Sequence, residues 1–222
     1  MPSRRWRGLY AVTPETTDTQ SLAARVRRCL EGGAAMVQYR AKALEPGLAL
    51  VQARSLASLC REFGVPFIVN DSLPLALACD ADGVHVGRDD AGVREARIAM
   101  PRAIVGASCY ADPRLAARAA AEGADYVAIG SLFASSTKPA APRAPLELLA
   151  AAAEASGGLP VVAIGGITPH NAPAAVAAGA DLLAVISAVF DAPDVRAAAE
   201  AFTRLYATKS GDRDVRPQPR PL

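Results

Sequence analysis

The chain has 222 residues, 51% of them apolar and 5% aromatic, with a formal net charge of +2. That is enough for one large domain with a well-buried core, and too little charge to argue for nucleic acid or acidic lipid. No apolar run approaches membrane-spanning length, and Ser3-Arg4-Arg5-Trp6-Arg7 lacks the apolar stretch a twin-arginine signal needs before Pro14-Glu15. Cys29, Cys60, Cys79 and Cys109 show no C-x-x-C spacing, so reduced packing thiols in a cytoplasmic protein are expected.

Short apolar strands alternate with Ala-rich amphipathic helices along the chain. The strands read as Leu9–Val12, Met36–Gln38, Phe67–Val69, Gly83–His85, Ile104–Ala107, Tyr126–Ile129, Val161–Ile164 and Leu182–Ile186. Helical patterns lie between them near Leu22–Leu30, Leu48–Phe63, Leu75–Ala78, Val93–Ala99, Leu115–Ala121, Leu146–Ala155 and Ala174–Ala178, and a last one at about Val195–Tyr206. Eight strands, each followed by a helix, predict a closed (β/α)₈ TIM barrel formed as a single domain over residues 1–207. An open doubly wound sheet is the alternative. An internal echo favours closure: Glu31-Gly32-Gly33-Ala34-Ala35, Asp80-Ala81-Asp82-Gly83, Glu122-Gly123-Ala124-Asp125 and Ala178-Gly179-Ala180-Asp181 recur roughly every 50 residues, before the even strands. Residues 208–222 are polar and proline-rich and read as a disordered tail.

In such a barrel the reaction site is built where the strands end. After the second strand, Gln38, Arg40 and Lys42 are two apart and project together, with Tyr39 and Ala41 turned away. An amide, a guanidinium and an ammonium on one face suit phosphate oxygens. The third strand ends in Asn70-Asp71, which could equally form a turn or a helix cap. The fourth leads to Arg88-Asp89-Asp90. Asp71 and Asp90, from neighbouring strand ends, could share a hard cation such as Mg²⁺; Asp89 and Asp90 could instead cap the next helix. The fifth strand ends in Gly106-Ala107-Ser108, with the Ser108 hydroxyl expected at the barrel mouth.

After the sixth strand, Ser131-Leu132-Phe133-Ala134-Ser135-Ser136-Thr137-Lys138 crowds hydroxyls against one lysine, without the glycine spacing of a Walker loop. Gly165-Gly166 ends the seventh strand, where backbone N–H groups could approach a ligand unobstructed; Ile186-Ser187 ends the eighth. Loops at these two positions commonly form a phosphate site in TIM barrels. The polar residues thus fall into two sets, one fit for a metal-bound diphosphate and one for a single phosphate. Two phosphorylated small molecules facing each other point to a condensation that expels diphosphate.

These residues, in this order, closely resemble the thiamine phosphate synthase family from Gly8 to Phe190. The resemblance is carried jointly by Val-Gln-Tyr-Arg-Ala-Lys, Val-Asn-Asp, Ala-Asp-Gly-Val-His-Val-Gly-Arg-Asp-Asp, Gly-Ala-Ser, Gly-Ala-Asp-Tyr-Val-Ala-Ile-Gly, Ser-Ser-Thr-Lys, Ala-Ile-Gly-Gly-Ile and Ile-Ser-Ala. It implies a Mg²⁺-dependent barrel that joins 4-amino-2-methyl-5-hydroxymethylpyrimidine diphosphate to a thiazole phosphate and releases diphosphate. On this chain it implies that the pyrimidine diphosphate lies along Gln38, Tyr39, Arg40, Ala41, Lys42, Asn70 and Lys138, with Ser108 on the pyrimidine. Arg40, Lys42, Lys138 and Ser108 would act in the chemistry, and Asp71 and Asp90 would bind Mg²⁺. Ser135, Ser136, Thr137, Gly166, Ile186 and Ser187 would hold the thiazole phosphate.

Ser72 stands where the family commonly has arginine, and Ser131, Ala134 and Ser135 depart from its usual loop. His85 is expected to be a hydrogen-bonded core histidine and His170 to sit at the start of the seventh helix. The related thiazole tautomerase is the alternative; it uses a histidine two residues after the fifth-strand serine, where this chain has Tyr110. A non-catalytic barrel that senses a phosphorylated metabolite is the third reading. Homo-oligomerisation stays open.

Overall fold

A computed structural model describes residues 6–87, 92–134 and 142–207. Its strands are β1 (Gly8–Val12), β2 (Met36–Tyr39), β3 (Phe67–Asn70), β4 (Gly83–Val86), β5 (Ile104–Tyr110), β6 (Tyr126–Ile129), β7 (Val161–Ile164) and β8 (Leu182–Val185). Its helices are α1 (Thr19–Glu31), α2 (Pro46–Phe63), α3 (Leu73–Ala78), α4 (Val93–Ala99), α5 (Pro113–Glu122), α6 (Glu147–Ala155), α7 (Ala172–Ala177), α8 (Ser187–Phe190) and α9 (Val195–Ala207). The strands are all parallel and close in chain order, β8 pairing with β1. The open-sheet alternative is therefore excluded, and every strand ends on the same rim.

The strands are short and buried on both faces, which is why they read as unbroken apolar runs. Residues facing outward, such as Val37, Tyr39, Phe67 and Val69, join the helices in one core layer. Residues facing inward, including Tyr10, Val12, Met36, Ile68, Ile104, Tyr126, Val162 and Leu182, fill the barrel, with Trp6 packed among them. Local chemistry starts the helices where expected: Asp18, Ser72 and Asp112 cap α1, α3 and α5 by accepting backbone N–H groups, and prolines occupy the first turns of α2, α3 and α5.

The repeated Gly-Ala-Asp segments have a physical reason at the floor of the barrel. Asp82, Asp125 and Asp181 each precede an even strand, and each carboxylate accepts a backbone N–H from the start of the neighbouring odd strand. Phe67 donates to Asp82 (2.9 Å), Val105 to Asp125 (2.8 Å) and Val161 to Asp181 (3.1 Å). Asp80, where the echo lacks its glycine, takes the left-handed conformation itself (φ 54°), as aspartate tolerates.

Several boundaries differ from the sequence reading: β1 starts one residue earlier, at Gly8, and β2, β3 and β4 end one residue later, at Tyr39, Asn70 and Val86. β5 runs on to Tyr110 through a register shift between Ser108 and Tyr110, the polar residues having hidden its end. The eighth strand stops at Val185, because Ile186 is the N-cap of α8, a four-residue helix too short for a sequence pattern to show. His170 lies in the turn before α7 rather than in the helix.

Candidate active site

The rim is assembled from both sides of β2. Thr13, fully buried at the end of β1, donates its N–H to the Gln38 carbonyl (2.8 Å), and its hydroxyl accepts the Arg40 N–H (3.0 Å). Glu15 then receives the N–H groups of Lys42 (2.8 Å) and Ala43 (2.9 Å) on its two carboxylate oxygens. On the outer face the Tyr39 hydroxyl donates to Gln52 (2.9 Å), whose amide donates to the Thr16 carbonyl (2.9 Å). The loop carrying Arg40 and Lys42 is thus fixed through its backbone, which leaves their side chains for other partners.

The strand alternation holds only as far as Tyr39. Gln38 is buried in the barrel, its amide donating to the Tyr10 hydroxyl (2.8 Å), so it lies deeper than the two cations. Arg40 is half-buried beyond the strand end, and Lys42 is exposed in the loop. Tyr39 is buried among the helices, so only its backbone faces the rim; Ala41 lines the rim cleft. Among the described residues nothing hydrogen-bonds to the Arg40 guanidinium.

Lys42 reaches across to Asp71, their charged atoms 2.7 Å apart. Asp71 follows β3 in the left-handed conformation (φ 64°) and donates its N–H to the His85 carbonyl (2.8 Å). A non-glycine residue held in that conformation at a strand end marks a position the surroundings dictate. Asn70 is half-exposed beside it, and the helix-capping role falls to Ser72, whose hydroxyl accepts the Leu75 N–H (3.3 Å). An open cleft of ≈ 670 Å³ runs along this part of the rim, lined by Lys42, Asn70, Asp71, Ser72, Pro74 and Glu95 among others. Asp90, with Arg88 and Asp89, lies outside the described residues; α4 begins at Val93, and its N-cap, Gly92, offers no side-chain cap.

Across the rim, Gly165 and Gly166 both have positive φ (101° and 61°). A Cβ on Gly166 would collide with the Ala134 carbonyl, and one on Gly165 with the Ser131 side chain. The glycine pair is therefore required by the loop after β6, which packs flush against it; Phe133 donates its N–H to the Gly165 carbonyl (3.0 Å). Asn171 secures the turn from the other side, accepting the Thr168 N–H (2.8 Å) and donating to the Gly166 carbonyl (2.9 Å). Ile186 is half-buried and Ser187 exposed at the start of α8, whose first N–H groups have no partner within the helix. Ser135, Ser136, Thr137 and Lys138 lie outside the described residues. The rim cleft follows the Lys42–Asp71 side and does not extend to Gly166.

Ser108 is half-buried in β5 and bonded to His85 Nε2 (2.8 Å). His85 is buried as a core residue, stacked on Tyr126 with ring centroids 5.6 Å apart and Nδ1 3.0 Å from the Tyr126 hydroxyl. Burial raises the pKa of both inner phenols, Tyr10 and Tyr126, so both stay protonated. The sequence reading missed Thr13, Glu15, Asn171 and the two inward tyrosines. Only the tyrosines carried a signal, sharing the inward parity of Gln38 and His85 on their strands.

These features define a (β/α)₈ barrel whose charged, amide and hydroxyl groups gather at the strand ends, the face where barrel enzymes carry their sites. A sequence model described as thiamine monophosphate synthase matches residues 9–189. Thiamine-phosphate synthases of Aromatoleum aromaticum and Thiobacillus denitrificans are 55% and 57% identical to this chain. The first similarity covers 93% of this chain and 99% of the relative, the second 91% and 96%. A solved thiamine phosphate pyrophosphorylase from Pyrococcus furiosus superposes with a TM-score of 0.83 at 38% identity, covering 94% of this chain and 99% of that one. The chain belongs to the thiamine monophosphate synthase family.

Proposed function

We propose that the chain is a thiamine-phosphate synthase, joining 4-amino-2-methyl-5-hydroxymethylpyrimidine diphosphate to thiazole phosphate with release of diphosphate. The observation that carries this reading is the Lys42–Asp71 pair beside the half-buried Arg40, at the mouth of a barrel related over nearly its whole length to such synthases. The tautomerase reading is not favoured: the relatives are synthases, and Tyr110 stands in the histidine's place.

In this reading Arg40, Lys42, Asn70 and Lys138 hold the diphosphate, and Gln38 and Ser108 face the pyrimidine. Ser135, Ser136, Thr137, Gly166, Ile186 and Ser187 hold the thiazole phosphate. The C–O bond to diphosphate breaks first, its electron pair leaving with the phosphate oxygen. The pyrimidinylmethyl cation that remains is stabilised by the ring's amino group. The thiazole nitrogen then contributes its lone pair to the new C–N bond, so no protein nucleophile is needed. The protein's part is to neutralise charge on the leaving group and hold the two ligands face to face.

Mg²⁺ fits this site on one observation: the Asp71 carboxylate, a hard oxygen donor fixed by its backbone at the rim, already faces a cation in Lys42. Asp71 and Asp90 would hold the ion, which would offset negative charge on the diphosphate oxygens. The work would proceed in the cytoplasm, in keeping with four buried thiols that form no disulfide. The test is to incubate the pure protein with Mg²⁺ and both substrates. Diphosphate release that depends on both is expected; release from the pyrimidine substrate alone, or none, would refute the assignment.

A further inference from the structure

Five side chains on five strands are linked through the barrel interior. Gln38 Nε2 donates to the Tyr10 hydroxyl (2.8 Å), and the Tyr10 and Tyr126 hydroxyls meet at 2.7 Å. The Tyr126 hydroxyl lies 3.0 Å from His85 Nδ1, and His85 Nε2 lies 2.8 Å from Ser108 Oγ. The rest of the barrel filling is apolar, and polar groups buried there cost stability unless fully bonded. The chain even shapes its surroundings: a Cβ on Gly106 would collide with the Tyr126 ring, so that strand must carry glycine there.

The direction of these bonds follows from the amide at one end. An amide nitrogen can only donate, and a phenol has a single proton. Tyr10 accepts from Gln38, so its own proton passes to the Tyr126 oxygen. Tyr126 in turn gives its proton to His85 Nδ1. An Nδ1 that accepts carries no proton, so the imidazole is the neutral Nε2–H tautomer and donates to Ser108 Oγ. Ser108 then has its own proton to offer, while Gln38 keeps its carbonyl oxygen. One end of the chain presents an acceptor and the other a donor.

We propose that Tyr10, Tyr126 and His85 are positioning residues that fix this polarity, so that the site reads a heterocycle bearing an amino group beside a ring nitrogen. The amino group would donate to Gln38, and the ring nitrogen would accept from Ser108. The reversed polarity would suit an oxo group beside a ring N–H. This recognition role rests on the functional reading above; the polarity itself rests on the hydrogen bonds alone.

The chain has two histidines, His85 and the exposed His170, so ¹⁵N imidazole spectra resolve the tautomer directly, with His170→Gln giving the assignment. The expected wild-type result is Nε2–H at His85. Gln38→Glu places an acceptor-only carboxylate at the head of the chain and should convert His85, three hydrogen bonds away, to the Nδ1–H tautomer. Tyr10→Phe, which keeps the ring but interrupts the chain, should give a mixture and serves if the first variant does not fold. Nδ1–H in the wild type, or a tautomer that neither variant moves, would overturn the polarity. For recognition, calorimetry without the thiazole substrate compares the aminopyrimidine diphosphate with its oxo analogue. A wild-type preference of about 100-fold or more should fall at least about tenfold in folded Tyr126→Phe. An unchanged preference, or a wild-type chain that binds neither ligand, would overturn the recognition role, and the second result would also count against the synthase reading.

Discussion

The two ends of the barrel use the same residue types in opposite ways. At the floor, Asp82, Asp125 and Asp181 are engaged by backbone N–H groups of the neighbouring strands, and Arg97 binds Asp125 (2.6 Å) while donating to the Gly123 and Ala103 carbonyls (both 2.8 Å). At the mouth, backbone groups are fixed by Thr13 and Glu15, the charged side chains of Lys42 and Asp71 face each other along the cleft, and Arg40 is half-buried beside the strand end. Charge spent on holding strands together is a stability device. Charge whose backbone is held by something else is kept for a ligand.

The largest test of that contrast is Asp71→Ala, expected to lower turnover about 10²–10³-fold, with Lys138→Ala similar in direction. Melting temperature should move by no more than a degree or two, since the side chain contributes little to the core. Equal loss of activity and stability would erase the distinction between the two ends. Next in size, Arg40→Ala should raise KM for the diphosphate substrate about tenfold or more, read from steady-state kinetics, while KM for the thiazole phosphate stays unchanged. At the floor the pattern should invert. Asp125→Ala removes the acceptor for Val105 N–H and for Arg97, and should cost about 1–2 kcal/mol, or about 3–6 °C in melting temperature, at unchanged kcat.

A further effect, confined to alkaline pH, lies between the two ends, in the core around the barrel. Burial pushes the Cys29 and Cys109 thiols from 9.0 up to about 12. Above pH 9 the unfolded chain releases these protons while the folded chain keeps them. Stability is therefore fully present below pH 9 and declines as pH rises toward about 12. Urea midpoints across that range should fall, and Cys29→Ala should flatten the decline.

Much of this was legible before any coordinates. β6 and β7 match the apolar runs to the residue, because a strand buried on both faces shows as an unbroken apolar segment between turn residues. Alternation also separated Gln38 from Tyr39 correctly, the first entering the barrel and the second the helix layer. What stayed hidden needs closure of the sheet. Tyr10 and Tyr126 are 116 residues apart, and each reads locally as a core aromatic; only a barrel brings their hydroxyls together. Glu15 looks like any loop carboxylate until β1 is placed beside β2. The paired glycines after β7 were legible as special, but their reason, the close approach of the Phe133–Ala134 backbone, involves a loop distant in sequence. Ser72 shows the limit of residue-by-residue transfer: where the family commonly places an arginine, this chain places a helix cap.

The most direct measurement is a crystal structure of the protein grown with Mg²⁺, thiamine phosphate and diphosphate. Diphosphate is expected between Arg40 and Lys42 beside Asp71, and the product's phosphate on the Gly166 turn and the start of α8, both inside one barrel mouth. Ligands bound at the floor, or a diphosphate that touches neither Arg40 nor Lys42, would contradict it.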